Sequence, residues 1–453
     1  MPPDGWLNDP NGLCQFNGNY HVFIQYMPNT PGPDGRIVKS WGHYAGPDLM
    51  HLEFKGVPFW PGELDYNGCY SGSALVEDGK AYLYYTGNIK HPGDYDYITE
   101  GRESNTILIE TDGEHFGDKQ FLFGTKDYPA ECTLHVRDPK VWKENDTYYM
   151  VQGARMKGGA DGDYGSALFY KSQDKKNWEL VKIQTTDEAF GYMWECPEYL
   201  EVDGHAIMSL CPQGLEHEPY RYQNIYQSGY APEIGELEDE KQHIGDFVEW
   251  DMGFDFYAPQ TFVDEQGRRI MFGWAGLPDK PYKNFYADSY WENCLTVPRV
   301  LTYRDGVVLQ NPVEELNDLR YDEVRLASDE QVILPDGMGD FELNFNDNSA
   351  WRVSFAEGTY LSYADGVVSL ELSDEEGGGR KIRRAKVAEV KNMRILVDTS
   401  IIEIYINDGE YVMTSRFYPS YKGEKHDLKV KFDCDGAEIM GWKMHTMVTN
   451  INL

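Results

Sequence analysis

The sequence predicts an all-β protein in which a five-bladed β-propeller is followed by a C-terminal β-sandwich. Three observations lead to this prediction. Aromatic residues make up 14% of the 453 residues, which favours strands over long helices. A tight polar turn that leads directly into a strand recurs five times in the first two thirds of the chain. The remainder contains alternating strands without that repeat, which is typical of a sandwich.

The spacing of the repeated turns predicts the blades. The turns are Gly18-Asn19, Gly79-Lys80, Asp146-Thr147, Gly204-His205 and Gly267-Arg268. Successive turns begin 61, 67, 58 and 63 residues apart (18 to 79, 79 to 146, 146 to 204 and 204 to 267). Three units also carry an Asp with a large apolar residue four positions later, which predicts a late turn in each: Asp48/Leu52, Asp112/Phe116 and Asp174/Trp178. Units of this length, built from short strands, predict propeller blades with long loops.

The end of the repeat predicts the domain division. We expect the propeller in residues 1–310, a linker with a short helical turn in 311–324, which begins with "NPVEELNDLR" (311–320), and the sandwich in 325–453. The charged segment "SDEEGGGRKIRRAK", residues 373–386, predicts a solvated hairpin tip without a chemical role.

Charge and cysteine content exclude several classes of protein. A formal net charge of −35 disfavours binding to nucleic acid or to an anionic membrane. The seven cysteines are odd in number and widely spaced, which predicts free thiols in a reducing compartment and no zinc site. The absence of a signal-like or membrane-spanning apolar run predicts a cytoplasmic protein. Secretion stays open as an alternative, because the first motif begins only five residues into the sequence and a leader could precede it.

Three acidic residues fall at nearly the same place in separate units. Asp9, Asp138 and Glu195 lie 9, 8 and 9 residues before the turn markers at 18, 146 and 204. The first strand of each propeller blade lines the central channel, so residues at equivalent positions converge on the axis. The same offset in the second and fifth units gives Tyr70-Ser71 and Tyr257-Ala258.

This set of side chains is typical of a sugar hydrolase. Glycoside hydrolysis uses one carboxylate as nucleophile or base and one carboxylic acid as proton donor. Trp6, Trp41 and Trp194 lie close in sequence to the three acids and could cover the apolar faces of a sugar ring. Each acid also has a structural alternative: "DPNG" and "RDP" are good turn sequences, and the acid in "MWEC" could simply be paired in an apolar environment.

The motifs "WLNDPNG", "RDP" and "WEC", in this order and in separate blades, resemble the three signature motifs of glycoside hydrolase family 32, the β-fructofuranosidases. The similarity extends through "WGHY", "CYSGSA" and "DFYAPQTF" into "VDTSIIEIYINDGE". This resemblance implies a five-bladed propeller with a C-terminal sandwich, and a retaining double displacement without metal or cofactor. It implies that Asp9 is the nucleophile, Glu195 the acid/base and Asp138 the transition-state stabiliser, with Arg137 holding Asp138 ionised and oriented.

The resemblance also implies a set of substrate-binding residues. These are Asn8, Gln25, Trp41, Tyr70, Ser71, Arg137, Tyr257 and Trp274. Tyr70 departs from the family, because many relatives have phenylalanine there. Cys196 follows the acid as in the family, either to tune Glu195 or as a small buried thiol.

The segments "GYMWECP", "PQGL" and "NIYQSGY" most resemble those of the sucrose and sucrose-6-phosphate hydrolases within the family. The expected partner is thus a small sugar. A phosphorylated substrate would need cations at the channel rim, and the candidates are Arg36, Lys39, Arg102 and Arg221. Four alternatives stay open: an exo-acting fructan hydrolase, a fructosyltransferase, an inverting five-bladed hydrolase, and a sugar-binding propeller without catalysis.

Overall fold

The computed structural model describes residues 1–239, 241–282, 290–334, 337–419 and 427–447. It confirms the predicted fold class, since antiparallel strands form five blades and then a two-sheet sandwich. The two helical segments that the described residues contain are short 3-10 turns at Gly159–Asp161 and Glu314–Leu319. None of the described helices is long and apolar enough to cross a membrane.

The first three blades are each four consecutive strands in an antiparallel sheet. The first contains β1 (Gly5–Phe16), β2 (Asn19–Met27), β3 (Ser40–Gly46) and β4 (Glu53–Gly56). The second contains β5 (Cys69–Glu77), β6 (Lys80–Lys90), β7 (Arg102–Thr111) and β8 (Gln120–Gly124). The third contains β9 (Cys132–Glu144), β10 (Thr147–Met156), β11 (Tyr164–Ser172) and β12 (Glu179–Gln184).

The last two blades have short extra strands at their edges. The fourth contains β13 (Met193–Val202), β14 (His205–Gln213), β15 (Gly229–Ile234), β16 (His243–Ile244) and β17 (Val248–Glu249). A two-residue strand, β20 (Trp291–Glu292), leaves the fifth blade and pairs in parallel with β1 of the first. The fifth blade itself contains β18 (Tyr257–Val263), β19 (Arg269–Ala275), β21 (Cys294–Leu295), β22 (Arg299–Arg304) and β23 (Val307–Pro312). Pairing of β20 with β1 therefore joins the two ends of the ring.

The predicted turn markers lie where the repeat placed them. Each joins the first and second strands of its blade. The three predicted late turns lie between the third and fourth strands, and there each Asp carboxylate accepts backbone N–H groups two or three residues ahead: Asp48 from Met50, Asp112 from Glu114 and His115, Asp174 from Lys176 and Asn177. Side-chain capping of this kind explains why Asp recurs at these turns.

The second domain is a sandwich of two six-stranded antiparallel sheets. Its strands in chain order are β24 (Arg320–Leu326), β25 (Gln331–Leu334), β26 (Gly339–Phe345), β27 (Trp351–Ala356), β28 (Thr359–Ala364), β29 (Val367–Glu371), β30 (Ile382–Lys386), β31 (Asn392–Asp398), β32 (Ile401–Ile406), β33 (Tyr411–Arg416), β34 (Leu428–Asp433) and β35 (Ala437–Met444). The sheet orders are β24-β35-β26-β31-β32-β33 and β25-β34-β27-β28-β29-β30. Alternate residues of both sheets fill one apolar core between them, as the period of two requires.

The segment 311–324, predicted as the linker, contains the end of β23, the 3-10 turn Glu314–Leu319 and the first residues of β24. The helical turn thus lies inside this segment, and the first sandwich strand begins there at Arg320.

The prediction for the charged segment 373–386 is wrong for its central residues. Asp374 and Glu375 are exposed, but Arg380 is fully buried and donates to both carboxylate oxygens of Asp255 in the propeller, each at 2.6 Å. Arg383 donates to Asn224, also in the propeller. A charged side chain is buried only when a partner compensates it, and that partner lies 125 residues away in sequence.

We expect Arg380→Met to lower the free energy of unfolding by about 3–5 kcal/mol, because it leaves the buried Asp255 carboxylate without its ionic partner. Arg384→Met is the matched control, since Arg384 lies in the same segment and is exposed, and its effect should stay within about 0.5 kcal/mol. Urea denaturation measures both. Equal effects of the two substitutions would contradict a role for Arg380 in joining the domains.

Candidate active site

The innermost strand of every blade has a β-bulge at the same height. In each, two residues face a single residue of the second strand: 8–9, 70–71, 138–139, 196–197 and 258–259. A bulge locally turns the strand and redirects its side chains. The five bulges therefore form one ring of irregular backbone around the axis, and all the axial residues that the repeat predicted lie on it or next to it.

The three acids occupy this ring at three successive positions, not at one. Glu195 immediately precedes its bulge, Asp138 is the first bulge residue and Asp9 is the second. The prediction of a single shared register is therefore wrong by one residue in each direction. β1 has a second bulge between Asn11 and Cys14. It adds one residue between Asp9 and the turn at Gly18, so the number of residues before the turn does not give the position in the ring. The staggered positions aim three carboxyl groups into one space from three different blades.

Prolines in the inner strands mark the bulges in the sequence. In four inner strands a proline lies in the bulge or directly after it: Pro10, Pro139, Pro197 and Pro259. Proline lacks an N–H for the ladder and is found in sheets chiefly at edges and bulges. The first bulge residues Asp138, Cys196 and Ala258 have positive φ angles of 63°, 45° and 47°, which is strained for residues other than glycine.

Asp9 is half-buried and is held by its neighbours on blades I and II. Asn8 Nδ2 donates to Asp9 Oδ1 at 3.0 Å, and the Ser71 hydroxyl donates to Asp9 Oδ2. Gln25 in turn contacts Ser71 at 3.3 Å. Burial raises the pKa of Asp9, the hydrogen bonds from Ser71 and Asn8 oppose this rise, and the nearby Glu195 charge adds to it. These donors favour the ionised carboxylate, which a nucleophile requires.

Asp138 is buried, with 6% of its surface exposed. The Cys196 backbone N–H donates to its Oδ2 at 3.0 Å, and its own backbone N–H donates to Thr86 Oγ1 at 2.9 Å. Burial raises the pKa of Asp138 to about 7, the charges of Glu195 and Asp9 add to this, and the Arg137 charge opposes it. This side chain therefore titrates near neutral pH.

Glu195 receives hydrogen bonds on both oxygens. Arg137 Nε and Nη2 donate to Oε1 at 3.1 and 2.7 Å, while Gln213 Nε2 and the Tyr257 hydroxyl each donate to Oε2 at 2.6 Å. Arg137 lies 3.9 Å from Asp138. The expectation that Arg137 orients Asp138 is therefore corrected: its close contacts go to Glu195, and the Cys196 N–H orients Asp138. Gln213 is not among the predicted site residues, although it lies in the quoted segment "PQGL"; its pairing opposite Met193 brings it to the acid.

The tryptophans divide into two groups. Trp41 and Trp194 are fully buried, and their indole N–H groups donate to the Tyr70 and Phe190 carbonyls. These two rings therefore support the blades and present no open face to a sugar, contrary to the expectation. Trp6 is half-buried and contacts Trp274 edge to face at 6.1 Å between ring centroids.

The remaining predicted residues lie around the same space. Tyr257 packs near Trp274 at 6.5 Å, and the buried Trp274 indole N–H has no acceptor in the described part of the chain. Lys39 Nζ donates to Asn8 Oδ1 at 3.3 Å. Across the described ranges, no three His, Cys, Asp or Glu side chains are arranged to hold a metal ion.

Carboxyl groups that face one another at the axis of a propeller provide the nucleophile and the proton donor that cleavage of a glycosidic bond needs. Fold and site together thus define a β-propeller glycoside hydrolase. Sequence comparison identifies the family: the chain belongs to glycosyl hydrolase family 32, whose N-terminal domain model matches residues 1–312 and whose C-terminal model matches residues 337–448. The predicted family and fold are confirmed.

Individual relatives cover nearly the whole chain. It is 35% identical to a sucrose-6-phosphate hydrolase of Bacillus subtilis (strain 168) over 437 residues, which are 92% of this chain and 88% of that protein. The structure of sucrose-6-phosphate hydrolase from Lactobacillus gasseri has a TM-score of 0.85 at 29% identity and covers 98% of this chain and 92% of that one. A Bombyx mori family 32 β-fructofuranosidase in complex with sucrose has a TM-score of 0.82 at 28% identity, over 99% and 93% of the two chains.

The raised pKa of Asp138 leads to a pH-dependent stability. A carboxyl group whose pKa is higher in the folded than in the unfolded state, about 7 against 3.8, stabilises the fold below pH 3.8, and this contribution is lost as pH rises through 7. We therefore expect Asp138→Asn to gain thermal stability relative to wild type as pH rises from 4 to 8. Thermal unfolding across this range measures it. Asp146→Asn, at an exposed turn, is the control, and a pH-independent difference for Asp138→Asn would contradict the expectation.

Proposed function

We propose that this enzyme hydrolyses the β-D-fructofuranosidic bond of sucrose and of sucrose 6-phosphate with retention of configuration. The observation that carries the proposal is the bulge ring, which aims Asp9, Asp138 and Glu195 into one space from blades I, III and IV. Family membership and the names of the relatives supply the substrate class.

In the first step, an Asp9 carboxylate oxygen attacks the anomeric carbon of the fructosyl unit while Glu195 donates a proton to the glycosidic oxygen. The bond from the anomeric carbon to that oxygen breaks, and the leaving sugar departs as a neutral alcohol. In the second step, Glu195 takes a proton from water, the water oxygen bonds to the anomeric carbon, and Asp9 is released as a carboxylate. Asn8 and Ser71 hold Asp9 in place for both steps.

Asp138 is the proposed transition-state stabiliser. Its carboxyl accepts hydrogen bonds from fructosyl hydroxyls, and these strengthen as positive charge develops on the ring. Its backbone is fixed by Thr86 on the neighbouring blade and its carboxyl by the Cys196 N–H, so the acceptor is in place before the substrate binds.

We also propose a cytoplasmic location. All seven cysteines are free and buried, which is the usual state of thiols in a reducing compartment.

We expect Asp9→Asn to reduce kcat on sucrose by about 10⁴-fold or more, because the amide cannot form the covalent intermediate. Glu195→Gln should cost about 10²–10⁴-fold through loss of the transferred proton. Asp146→Asn changes the same chemical group at an exposed turn and should leave kcat within about twofold of wild type.

Two further measurements test the substrate and the stereochemistry of the product. Initial rates are measured on sucrose, sucrose 6-phosphate, 1-kestose and inulin, and the first-formed fructose anomer is followed by NMR. Activity retained by Asp9→Asn would overturn the assignment of the nucleophile. An inverted first product would overturn the double displacement, and higher kcat/KM on inulin than on either sucrose would overturn the proposed substrate.

A further inference from the structure

A row of cationic groups runs outward from the proposed acid/base toward the mouth of the channel. Arg137 contacts Glu195 at 2.7 Å; its Nη1 lies 2.9 Å from His135 Nδ1, and Arg102 Nη1 lies 2.8 Å from His135 Nε2. We call Arg102, His135 and Arg137 the Arg–His–Arg cluster. Lys90 pairs with Arg102 across β6 and β7 and is exposed at the rim.

The cluster has more cations than the protein balances. Arg137 is paired with Glu195 at 2.7 Å, but within the described residues no carboxylate forms an ion pair with Arg102 or Lys90. The excess is unusual in a chain of net charge −35. Burial, together with the charges of Arg137, Arg102, Arg155 and Lys90, lowers the pKa of His135 to about 2, so His135 is neutral at neutral pH and adds no further cation.

The two arginines beside His135 approach a ring that has a single acceptor. A neutral imidazole accepts on one nitrogen only, because the other carries the proton. Two guanidinium groups nevertheless approach its two nitrogens, at 2.8 and 2.9 Å. One of these two guanidinium N–H groups therefore has no acceptor on the ring. Arg102 Nε donates to Asn88 Oδ1 at 2.9 Å, and an anion that accepted from the Nη groups of Arg102 would offset the excess charge.

Other cations near the channel already have partners. Arg36 is paired with Asp34 at 2.6 Å and lies over the Tyr66 ring. Arg221 donates to the Phe247 carbonyl at 3.0 Å. Lys39 donates to Asn8, which holds the proposed nucleophile. Of the four cations that the sequence suggested for a phosphate, only Arg36 has a carboxylate partner among the described residues. Arg102 is the one that the Arg–His–Arg cluster links to Glu195.

The position of the cluster indicates that it faces the leaving sugar of the substrate, not the fructosyl unit. Glu195 donates its proton to the glycosidic oxygen, so the leaving sugar must lie beside Glu195 and extend toward the mouth. His135 precedes Arg137 by two residues on β9, which places it about 6.5 Å further along the strand on the same face. A leaving hexose that extends outward from Glu195 would therefore run alongside these side chains.

We propose that Arg102 and Lys90, backed by His135, bind a phosphate monoester on the leaving sugar and thereby select the phosphorylated disaccharide. This inference rests on the proposed function, since it takes Glu195 as the group that protonates the leaving oxygen. Arg102 supplies a planar pair of N–H donors suited to phosphate oxygens, and Lys90 supplies a mobile charge at the rim.

The test compares kcat/KM for sucrose 6-phosphate and for sucrose in wild type, Arg102→Gln, Lys90→Gln and the control Arg36→Gln. We expect the ratio of the two values to fall at least tenfold in Arg102→Gln and about threefold in Lys90→Gln, and to stay unchanged in Arg36→Gln. Equal losses on both substrates in Arg102→Gln would assign it a structural role only and overturn the proposal, as would an unchanged ratio in both variants.

Product inhibition of sucrose hydrolysis provides a second readout. Glucose 6-phosphate should inhibit wild type at least tenfold more strongly than glucose or inorganic phosphate, and Arg102→Gln should remove this advantage. Inhibition by inorganic phosphate as strong as by glucose 6-phosphate would mean a free-anion site and overturn the sugar-phosphate assignment. If wild type cleaves sucrose but does not distinguish the phosphorylated form, this inference alone fails; if it cleaves neither disaccharide, the proposed function fails.

Discussion

Three carboxyl groups lie close together at the axis of the propeller, and the rest of the site follows from the need to hold them there. Like charges in a medium of low polarity oppose one another's ionisation. Each carboxyl group has its own hydrogen-bond donors. Asp9 accepts from Asn8 and Ser71, and Asp138 accepts from the Cys196 backbone N–H. Glu195 accepts from the Arg137 guanidinium, the Gln213 amide and the Tyr257 hydroxyl. The acids therefore differ in environment although they are neighbours.

Each acid accepts at least one of these hydrogen bonds from an adjacent blade, so the geometry of the site depends on the closed ring. Asp9 on blade I is held by Ser71 on blade II, Asp138 on blade III by Thr86 and Cys196 on either side, and Glu195 on blade IV by Arg137 and Tyr257 on either side. The parallel pairing of β20 with β1 closes the ring between blades V and I. Loosening any one blade would misplace the carboxyl group of the next.

Buried arginines join the sandwich to the propeller by the same principle of compensated charge. Arg299 in the propeller is fully buried and donates to Glu403 and Thr414 in the sandwich at 2.9 and 2.7 Å, and Arg380 in the sandwich donates to Asp255 in the propeller. Removing one partner of such a pair costs far more than the pair contributes. The interface therefore specifies how the two domains meet, and Asp255 lies only two residues before Tyr257, which donates to Glu195.

The sequence by itself determined the repeat, the order of the blades, the sandwich and the identity of the three axial acids. Turns and period-two strands are local features, so the turns at Gly18 and Asp112 can be predicted from the few residues around each. Only the tertiary structure decided that Arg137 serves Glu195, that Gln213 reaches the same acid, that Trp41 is enclosed, and that Arg380 lies between domains. Those contacts join residues on different strands, mostly in different blades or domains, and the bulges that aim them change the strand register by one residue. The physical reason is that pairing across blades and burial of charge depend on the closed ring, which no local pattern encodes.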